Sequence, residues 1–537
     1  MGIDNIHVCF NGGESKPPSV KMIPKNCDLA KVMQNAIESA TNMTPLFFLC
    51  QPGKGKTHGV VHGALPWAIE NHARILYISS RQAINIQTKD AIIEAQGLDH
   101  LKKELTREGM RAHMDFGCIT VMTYHKLYLE MRYNPGKLNR YDLLIFDEVH
   151  ALIEDATYVG LTGYVLDHLK SCFPYARRLY MTATASDILP QLIGAERPYK
   201  VQVYHMPKDY SFILPHFFSE TEDIQKIINS DTSNRKWLVY MPHISAGNAF
   251  CKGLECSFCT LNGKERDKDP EKWYEILDNQ KFSEKVCVVT SVVDAGVNIH
   301  DDLLTNLVIF STSPVTLTQV LGRKRLKDGE QLHVYAYSPS PDEILSAAQK
   351  NQELQDKLAI YDSNPSFFME HYVLTESPLN FRAMMYAESD GGLHLNRLTK
   401  VHLQNEAGLY QKFLEYADKN KDSLFFDVFF ARWLNISLPD RSETWVDSNY
   451  VGKEKQDFLD FLKSHCGCEM NEASFAEFSL EFRSKCIAAY GKAPGGKDRE
   501  DRDWKWIKIN NKLAELQLPY NIKNDAAQMT YILVTTG

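Results

Sequence analysis

Short apolar runs alternate with amphipathic stretches between residues 45 and 185. The runs are typical of buried strands, and they read TPLFFLC, ARILYIS, GCITVMT, YDLLIFD and RRLYMTA. Helical patterns lie between them, for example THGVVHGALPWAIENH and AINIQTKDAIIEAQ. Because strands that alternate with helices build parallel sheets, this segment predicts a doubly wound parallel sheet.

The same alternation starts again near residue 235. Its strand candidates read RKWLVYMP, SFCTLNG, EKVCVVTS, TNLVIFS and EQLHVYAY. From about residue 345 the pattern changes to long helical stretches such as DEILSAAQKNQELQDKLAIY. We therefore expect an α/β protein with a first lobe at residues 1–192, a second lobe at 193–342 and a mainly α-helical C-terminal domain at 343–537.

Length and charge agree with several globular domains. A chain of 537 residues corresponds to about three to four units at ~150 residues each. The formal net charge of −8 argues against a generally basic coat for nucleic acid. It leaves room for a local basic track in a cleft, because electrostatic steering depends on the distribution of charge.

The chain shows no sign of export or of a membrane partner. No apolar stretch approaches the ~18 residues that cross a bilayer, and MGIDNIHVCFNGGESK lacks the charged segment and apolar core of a signal peptide. The twelve cysteines are irregularly spaced, and several lie in apolar runs, as expected of thiols in a reducing compartment. We expect a cytoplasmic protein.

A glycine loop follows the first apolar run of the first lobe. The loop Gln51-Pro52-Gly53-Lys54-Gly55-Lys56-Thr57 is a candidate phosphate cradle, because its glycines let backbone N–H groups approach phosphate oxygens. Lys56 would reach the β- and γ-phosphates of ATP, and Thr57 would ligate Mg²⁺. Cys50 stands where the full pattern has another glycine, so only the GxGKT part is present.

A second motif follows the strand candidate at residues 143–146. Asp147 and Glu148 lie directly after this apolar run. An acid at such a strand end can hold Mg²⁺ through water, and its neighbour can orient and deprotonate an attacking water. Alone, the pair also fits a solvated acidic turn. The upstream GxGKT loop favours the catalytic interpretation.

Five motifs in order resemble superfamily 2 helicases of the DExH branch. GKGKT, DEVH, MTATA, VVTSVVDAGVN and QVLGRKR resemble motifs I, II, III, V and VI, over roughly residues 45–340. The PGxGKT loop and the end of motif V also resemble flavivirus-type helicases, and motif VI resembles uncharacterised bacterial helicases of phages and mobile elements. The resemblance implies two tandem RecA-like parallel-sheet lobes that bind ATP and Mg²⁺ between them.

The resemblance also implies roles for individual residues. It implies that the nucleotide phosphates are bound by the loop residues Gly53, Lys54, Gly55 and Lys56. It also implies that Gly296 and Asn298 lie near the nucleotide. For hydrolysis it implies Thr57 and Asp147 as Mg²⁺ ligands, Glu148 as the base, and Gln319 and Arg323 as contacts of the γ-phosphate.

For the coupling of hydrolysis to strand movement it implies His150 as the link to the second lobe and Thr182 and Thr184 as coupling residues. Thr290 would contact the nucleic-acid backbone.

Two departures from the family pattern concern the second lobe. Motif VI usually ends GRxGR, whereas here Arg325 comes one place early. If this segment were helical, the shift would rotate the side chain by about 100°, so either Arg325 still reaches the phosphate or Arg323 acts alone. In motif V, Ser291 replaces the acid found in many relatives.

Two strand ends of the first lobe lie where the family binds a nucleic-acid backbone. Arg81 follows ILYISS, and Thr123 with Lys126 follows ITVM. Backbone contacts give affinity without sequence information. Taken alone, each of these residues is more often an ordinary surface residue.

Two weaker patterns each have a plain structural interpretation. Cys251, Cys256 and Cys259 could suggest zinc, but a second CxxC pair is missing and SFCTLNG fits a core strand. The segment 492–512 interleaves cations with Trp504 and Trp506, which could stack bases. We favour the alternative in which the tryptophans fill the core of the helical domain.

The sequence therefore predicts an ATP-dependent helicase or translocase that acts on single-stranded or partly duplex DNA or RNA. One alternative keeps the ATPase as a switch or remodeller that works without strand separation and with a protein partner on the C-terminal domain. Another alternative is a scaffold that only binds nucleotide. Both Glu148 and Arg323 argue against the scaffold, because binding alone needs neither.

Overall fold

The computed structural model describes residues 18–535, except for 81, 263–275, 277–278, 291–297, 328, 375–379, 389–390, 423, 447–449, 491–504, 517 and 526–529. Two of the predicted site residues, Arg81 and Gly296, lie outside the described residues. All strands expected in the two α/β segments are present.

The first α/β segment forms an eight-stranded sheet with the order β1-β8-β2-β7-β6-β3-β5-β4. Every neighbouring pair is parallel apart from β4 and β5. The strands are β1 (Ser19–Met22), β2 (Leu46–Leu49), β3 (Ile75–Ser79), β4 (Asp115–Phe116), β5 (Ile119–Thr123), β6 (Leu143–Phe146), β7 (Arg177–Thr182) and β8 (Gln202–His205).

Helices cover both faces of this sheet, which explains why its central strands are apolar on both sides. Two separate hydrophobic clusters lie on the two faces. The helical segments are Leu29–Ser39, Lys56–Gly59, Val60–Ala64 (a π-helical turn), Leu65–Glu70, Gln82–Gln96, His100–Glu104, Arg107–Ala112, Tyr124–Tyr133, Pro135–Arg140, Ala151–Glu154, Leu161–Asp167, Leu169–Cys172 and Ile188–Glu196.

The second segment forms a six-stranded, fully parallel sheet with the order β11-β12-β10-β13-β14-β9. Its strands are β9 (Ile213–Phe218), β10 (Lys236–Tyr240), β11 (Phe258–Leu261), β12 (Val286–Val289), β13 (Leu304–Ile309) and β14 (Leu332–Tyr337). Its described helices include Thr221–Ser230, Ile244–Lys252 and Pro314–Leu321. Cys259 lies in β11 and is buried, as the core-strand interpretation predicts.

Strand β8 lies beyond residue 192, where we expected the first lobe to end. It pairs with β1 and β2 of the first sheet. The second sheet begins with β9. We therefore propose to place the boundary between the lobes in the connecting segment 206–212.

The C-terminal region is mainly helical, and it also contains two small antiparallel sheets. β15 (Met385–Ala387) pairs with β16 (Leu393–Leu395), and the second sheet has the order β17-β19-β18. The strands of that sheet are β17 (Glu469–Met470), β18 (Tyr520–Asp525) and β19 (Thr530–Thr535). The helical segments are Pro341–Ser363, Pro365–Phe368, Met369–Val373, Phe381–Met384, Arg397–Asn420, Phe426–Leu434, Arg441–Thr444, Tyr450–His465, Glu472–Tyr490 and Trp506–Glu515. None of the helices in the described ranges is long and apolar enough to span a bilayer.

The helix Arg397–Asn420 begins against the first lobe. Its second residue, Leu398, is fully buried in the first lobe's hydrophobic cluster. The hydroxyl of Thr399 donates a hydrogen bond of 2.7 Å to the carbonyl oxygen of Ala156. Arg397 forms an ion pair of 2.6 Å with Asp167. Both apolar and polar contacts therefore fix this end of the helix.

The same helix ends in the core of the second lobe. Phe413 and Ala417 belong to the second lobe's hydrophobic cluster, together with residues of the helix Phe426–Leu434. The helix lies antiparallel to Pro341–Ser363, and Asn351 donates a hydrogen bond of 3.1 Å to Glu406 between them. These two helices form a bridging hairpin (341–420) that leaves the second lobe, touches the first and returns.

We predict that Gly160→Ala loosens the tip of the bridging hairpin. A Cβ at this position would lie 2.1 Å from the carbonyl oxygen of Met385, and overpacking of this kind costs about 1–3 kcal/mol. Faster hydrogen exchange at residues 381–399 is the expected result. The control Gly194→Ala places its Cβ in open space. Equal exchange in the two variants would contradict the assigned contact.

Candidate active site between the lobes

The glycine loop connects β2 to the helix that begins at Lys56. Gly53 and Gly55 have φ angles of +79° and +84°, which residues with a side chain rarely adopt. Lys56 is buried, and its ammonium group donates a hydrogen bond of 3.2 Å to the carbonyl oxygen of Cys50. The loop and its buried lysine therefore line the cleft.

Asp147 follows β6 and is held by two hydrogen bonds. The hydroxyl of Tyr77 donates to its Oδ2 atom at 2.5 Å, and the backbone N–H of Glu148 donates to Oδ1 at 3.0 Å. Burial, and then the charge of Glu148, raises the pKa of Asp147 to about 6. A buried carboxylate with a raised pKa is stabilised by a nearby cation.

Glu148 lies at the centre of the cleft on a strained backbone, with φ at +47°. Its Oε1 atom lies 3.6 Å from the ammonium group of Lys56. Its Oε2 atom lies 3.3 Å from Nδ1 of His150 and accepts a hydrogen bond of 3.4 Å from Gln319. Burial acts to raise the pKa of Glu148, but Lys56, His150 and Arg323 outweigh it and lower that pKa.

His150 connects the acidic motif to the strand end at Thr182. Its Nδ1 atom lies 2.9 Å from the hydroxyl of Thr182, which also accepts a hydrogen bond of 3.0 Å from the backbone N–H of Thr184. Burial lowers the pKa of His150, and the charge of Lys56 acts in the same direction. The imidazole therefore joins motifs II and III in one network.

The second lobe reaches the same carboxylate through the helix Pro314–Leu321. Gln319 is buried, and its amide nitrogen donates to Glu148, while its Oε1 atom accepts a hydrogen bond of 2.7 Å from Arg323. A continuous chain of contacts therefore crosses the cleft from Lys56 to Arg323.

Arg325 does not lie on a helix, which corrects the geometry that we considered from the sequence. The helix ends at Leu321, and the backbone N–H of Arg325 donates a hydrogen bond of 3.0 Å to the carbonyl oxygen of Ile299. A rotation by a fraction of a helical turn therefore does not apply. The guanidinium group instead lies against the glycine loop, because a Cβ on Gly53 would be 2.3 Å from it. Burial, and then the charge of Arg323, lowers the pKa of Arg325 to about 10.

Both lobes line one cavity of about 420 Å³. The first lobe contributes the glycine loop and the acidic pair, and the second contributes Asn298, Arg323 and Arg325. Asn298 donates a hydrogen bond of 2.9 Å to Gln87, a further contact between the lobes. The structure therefore brings together most of the residues predicted for nucleotide binding and hydrolysis.

Several residues of the site were not found from the sequence. Tyr77 lies inside the apolar run ILYIS, and Gln87 lies on an amphipathic helix, so neither carries a motif. Gln51 belongs to the predicted loop, but its contact was not predicted: it exchanges two hydrogen bonds of 2.8 Å with the backbone of Asp209, in the segment between the sheets. Beside it, burial and the charge of Lys56 lower the pKa of Lys208 to about 8. The interlobe segment therefore contacts the start of the glycine loop.

Thr123, which we predicted to contact a nucleic-acid backbone, is the last residue of β5. It caps the helix Tyr124–Tyr133, because its hydroxyl accepts a hydrogen bond of 3.2 Å from the backbone N–H of Lys126. The two residues line a second cavity of about 350 Å³ with Lys89 and Arg111. Lys89 donates to three backbone carbonyl oxygens, and burial lowers its pKa to about 8. The described part of this wall is cationic.

Thr290 of the second lobe directly follows β12 and is buried. The residues after it, 291–297, include Ser291 and Gly296 and lie outside the described residues, as does Arg81.

The chemistry of the donor set fits Mg²⁺. Thr57 and Asp147 line the same cavity and offer a hydroxyl and a carboxylate oxygen, which are ligands that Mg²⁺ accepts. Mg²⁺ usually keeps several waters and binds substrate phosphates with only one or two protein ligands.

Two parallel-sheet α/β lobes with a polar cleft between them form the described architecture of residues 19–337. Residues 26–187 match the family model described as Type III restriction enzyme, res subunit. The matched residues form a superfamily 2 helicase-type domain, which agrees with the resemblance of motifs I, II and III. No curated protein matches the sequence.

Solved helicase structures are similar at low sequence identity. S. cerevisiae Dbp5 bound to RNA and ADP BeF3 is 16% identical, with a TM-score of 0.42, over 57% of this chain and 82% of that one. The DEAD-box helicase Mss116 bound to ssRNA and UDP-BeF is 11% identical, with a TM-score of 0.46, over 78% and 100%. Mycobacterium smegmatis helicase Lhr bound to ssDNA and AMP-PNP is 14% identical, with a TM-score of 0.42, over 70% and 60%.

We predict that Lys56→Ala abolishes nucleotide binding, because it removes the buried cation of the loop. An ATP analogue with Mg²⁺ raises the Tm of a protein that binds it, so this increase should be absent in the variant. Lys54→Ala is the matched control, because the Lys54 side chain is exposed. Loss of the Tm increase in the control alone would contradict the assignment.

Proposed function

We propose that the protein is an ATP-dependent helicase or translocase that hydrolyses ATP in the interlobe cleft and moves along nucleic acid. One observation carries the proposal. The Glu148 carboxylate is contacted by Lys56 from its own lobe and by Gln319 from the other lobe. Hydrolysis would therefore depend on the position of both lobes, as a motor requires.

In the proposed site the nucleotide phosphates lie on the loop Gly53–Thr57. Backbone N–H groups of Gly53, Lys54 and Gly55 and the ammonium group of Lys56 bind the phosphate oxygens. Thr57 and Asp147 would hold Mg²⁺, which supplies charge neutralisation between the β- and γ-phosphates. Gly296 and Asn298 contribute from the second lobe.

Glu148 is the proposed base. Its lowered pKa keeps it ionised near pH 7, so it can orient and deprotonate water. Arg323 and Arg325 supply positive charge to the γ-phosphate in the transition state, where negative charge is spread over its oxygens. The hydrogen bond from Gln319 makes the environment of Glu148 depend on the position of the second lobe. The contact of His150 with Thr182 couples the nucleotide site to Thr182 and Thr184.

The proposed track for nucleic acid crosses the cationic cavity of the first lobe. Thr123, Lys126 and the neighbouring Arg111 line this cavity. Hydroxyl and cationic groups of this kind bind phosphate oxygens and give affinity without base selection. Arg81, which lies outside the described residues, and Thr290 of the second lobe are further proposed contacts of the nucleic-acid backbone.

The bridging hairpin favours one alternative. Because it contacts both lobes, it restrains their separation, and a partner bound to it would control hydrolysis directly. The protein would then be a nucleic-acid-stimulated switch without strand separation. A strand-separation assay with ATP distinguishes the two functions, since only the helicase releases the displaced strand.

We predict that ATP hydrolysis by the full-length protein is stimulated by one of four polymers, namely single-stranded or duplex DNA or RNA. Glu148→Gln should lower kcat by about 10²–10⁴ while the Tm increase with an ATP analogue is retained, because the amide cannot accept a proton but preserves the shape of the site. Wild-type turnover in this variant would rule out Glu148 as the base. Turnover indifferent to all four polymers would favour the partner-controlled switch.

We predict different kinetic effects for the two arginines of motif VI. Arg323→Ala should lower kcat by about 10³ or more, as expected for an arginine that stabilises the transition state. Arg325→Ala should also raise KM for ATP, because its guanidinium group lies against the phosphate loop before reaction. Lys327→Ala is the control, since Lys327 is exposed and pairs with Asp302. An unchanged rate for Arg325→Ala would leave Arg323 as the sole arginine finger.

A further inference from the structure

The last part of the described chain packs around a core of its own. This C-terminal module (450–535) comprises the helices Tyr450–His465, Glu472–Tyr490 and Trp506–Glu515 with strands β17, β18 and β19. Every buried member of its hydrophobic cluster lies between residues 458 and 533. The module is therefore a separate packing unit within the C-terminal region that the sequence predicted to be mainly α-helical.

The order of elements in the module is helix, strand, helix, helix, strand, strand. The sheet order is β17-β19-β18, and both strand pairs are antiparallel. This is the topology of winged helix-turn-helix modules, in which the third helix is presented beside a β-hairpin. In helix-turn-helix proteins the recognition helix enters the major groove of DNA.

The third helix is fixed rigidly to the hairpin. Ile509 and Leu513 are fully buried in the module's core. The side chain of Asn510 donates a hydrogen bond of 3.0 Å to the carbonyl oxygen of Ile522 and accepts one of 2.7 Å from its backbone N–H. These contacts set which face of the helix points outward. Trp506 packs partly buried on the same core, as we expected for the tryptophans, while Trp504 lies outside the described residues.

The outward face of this helix has the chemistry of base-edge recognition. Ile507 is 54% exposed, and Lys508, Asn511 and Ala514 are exposed on the same face at helical spacing. Lysine pairs with guanine, asparagine pairs with adenine, and small apolar side chains contact the thymine methyl group.

Cations flank this face. Lys505 is exposed at the start of the helix, and Lys523 is exposed on β18. Between residues 505 and 525 the sequence has four lysines and two acidic residues, in a chain with a net charge of −8. Lysines beside a protruding helix bind phosphates on either side of a groove.

We propose that the helix Trp506–Glu515 docks in the major groove of duplex DNA. The groove of B-DNA is about 12 Å wide and admits a helix, whereas the major groove of A-form RNA is too deep and narrow to be read. The module would hold duplex DNA beside the motor. This proposal goes beyond the proposed function, because it adds a second nucleic-acid site and selects DNA over RNA as the polymer.

The test uses the full-length protein without nucleotide, with a DNA duplex and an RNA duplex of the same sequence in fluorescence anisotropy. The wild type should bind the DNA duplex more tightly. The double variant Lys505→Glu/Lys523→Glu should weaken DNA binding about tenfold or more and lessen the dependence of log Kd on log salt by about two. Asn511→Ala should weaken DNA binding without changing that dependence.

The matched control is Lys419→Glu/Lys463→Glu, which changes the net charge equally at exposed positions of other helices. It should leave Kd within about twofold of the wild type. The proposal is overturned if the control weakens binding as much as the Lys505/Lys523 variant, if that variant binds like the wild type, or if the RNA duplex binds equally well. A separate measurement of ATP turnover distinguishes this proposal from the proposed motor function. If the protein does not hydrolyse ATP but its DNA affinity still depends on Lys505 and Lys523, only the motor function is refuted.

Discussion

The Glu148 carboxylate is the point on which the arrangement of the two lobes depends. It is partly buried between a lysine of the first lobe and an amide of the second, at 3.6 Å and 3.4 Å. A buried carboxylate is costly unless it is paired, and its pairing here needs both lobes. The cleft therefore loses part of the stabilisation of this charge whenever the second lobe moves away. The backbone at this residue is left-handed, with φ at +47°.

Much of this site could be predicted from the sequence, because parallel strands buried on both faces appear as continuous apolar runs. The glycine loop after β2 and the acidic pair after β6 could therefore be recognised as polar groups at the ends of buried strands. Tyr77 could not be recognised, since its ring is one more apolar member of β3 and only its hydroxyl reaches Asp147. The position of Arg325 also needed the structure, because the backbone leaves the helix before it and pairs with Ile299.

The outer parts of the fold were less predictable for related reasons. Strands β1 and β8 are four residues long, and β8 joins the first sheet after the position where a boundary was expected. β17 has two residues, which is too short for a period to appear. The order of strands in the C-terminal module depends on pairing between residues such as Met470 and Tyr531, distant in sequence, which local patterns do not encode. Local periodicity thus predicted a mainly helical C-terminal region but not this module.

The bridging hairpin restricts which motions the two lobes have available. A helix of 24 residues has a length of about 36 Å at 1.5 Å per residue, and it is stiff along its axis. Leu398 anchors one end in the first lobe and Phe413 anchors the other part in the second. Two bodies joined by a rod of fixed length can swivel about its attachment points, but they cannot draw apart there while both anchors hold. Opening and closing of the cleft would then be a rotation of one lobe about the hairpin. The size of that rotation would depend on how far the contacts at Leu398 and Phe413 can deform.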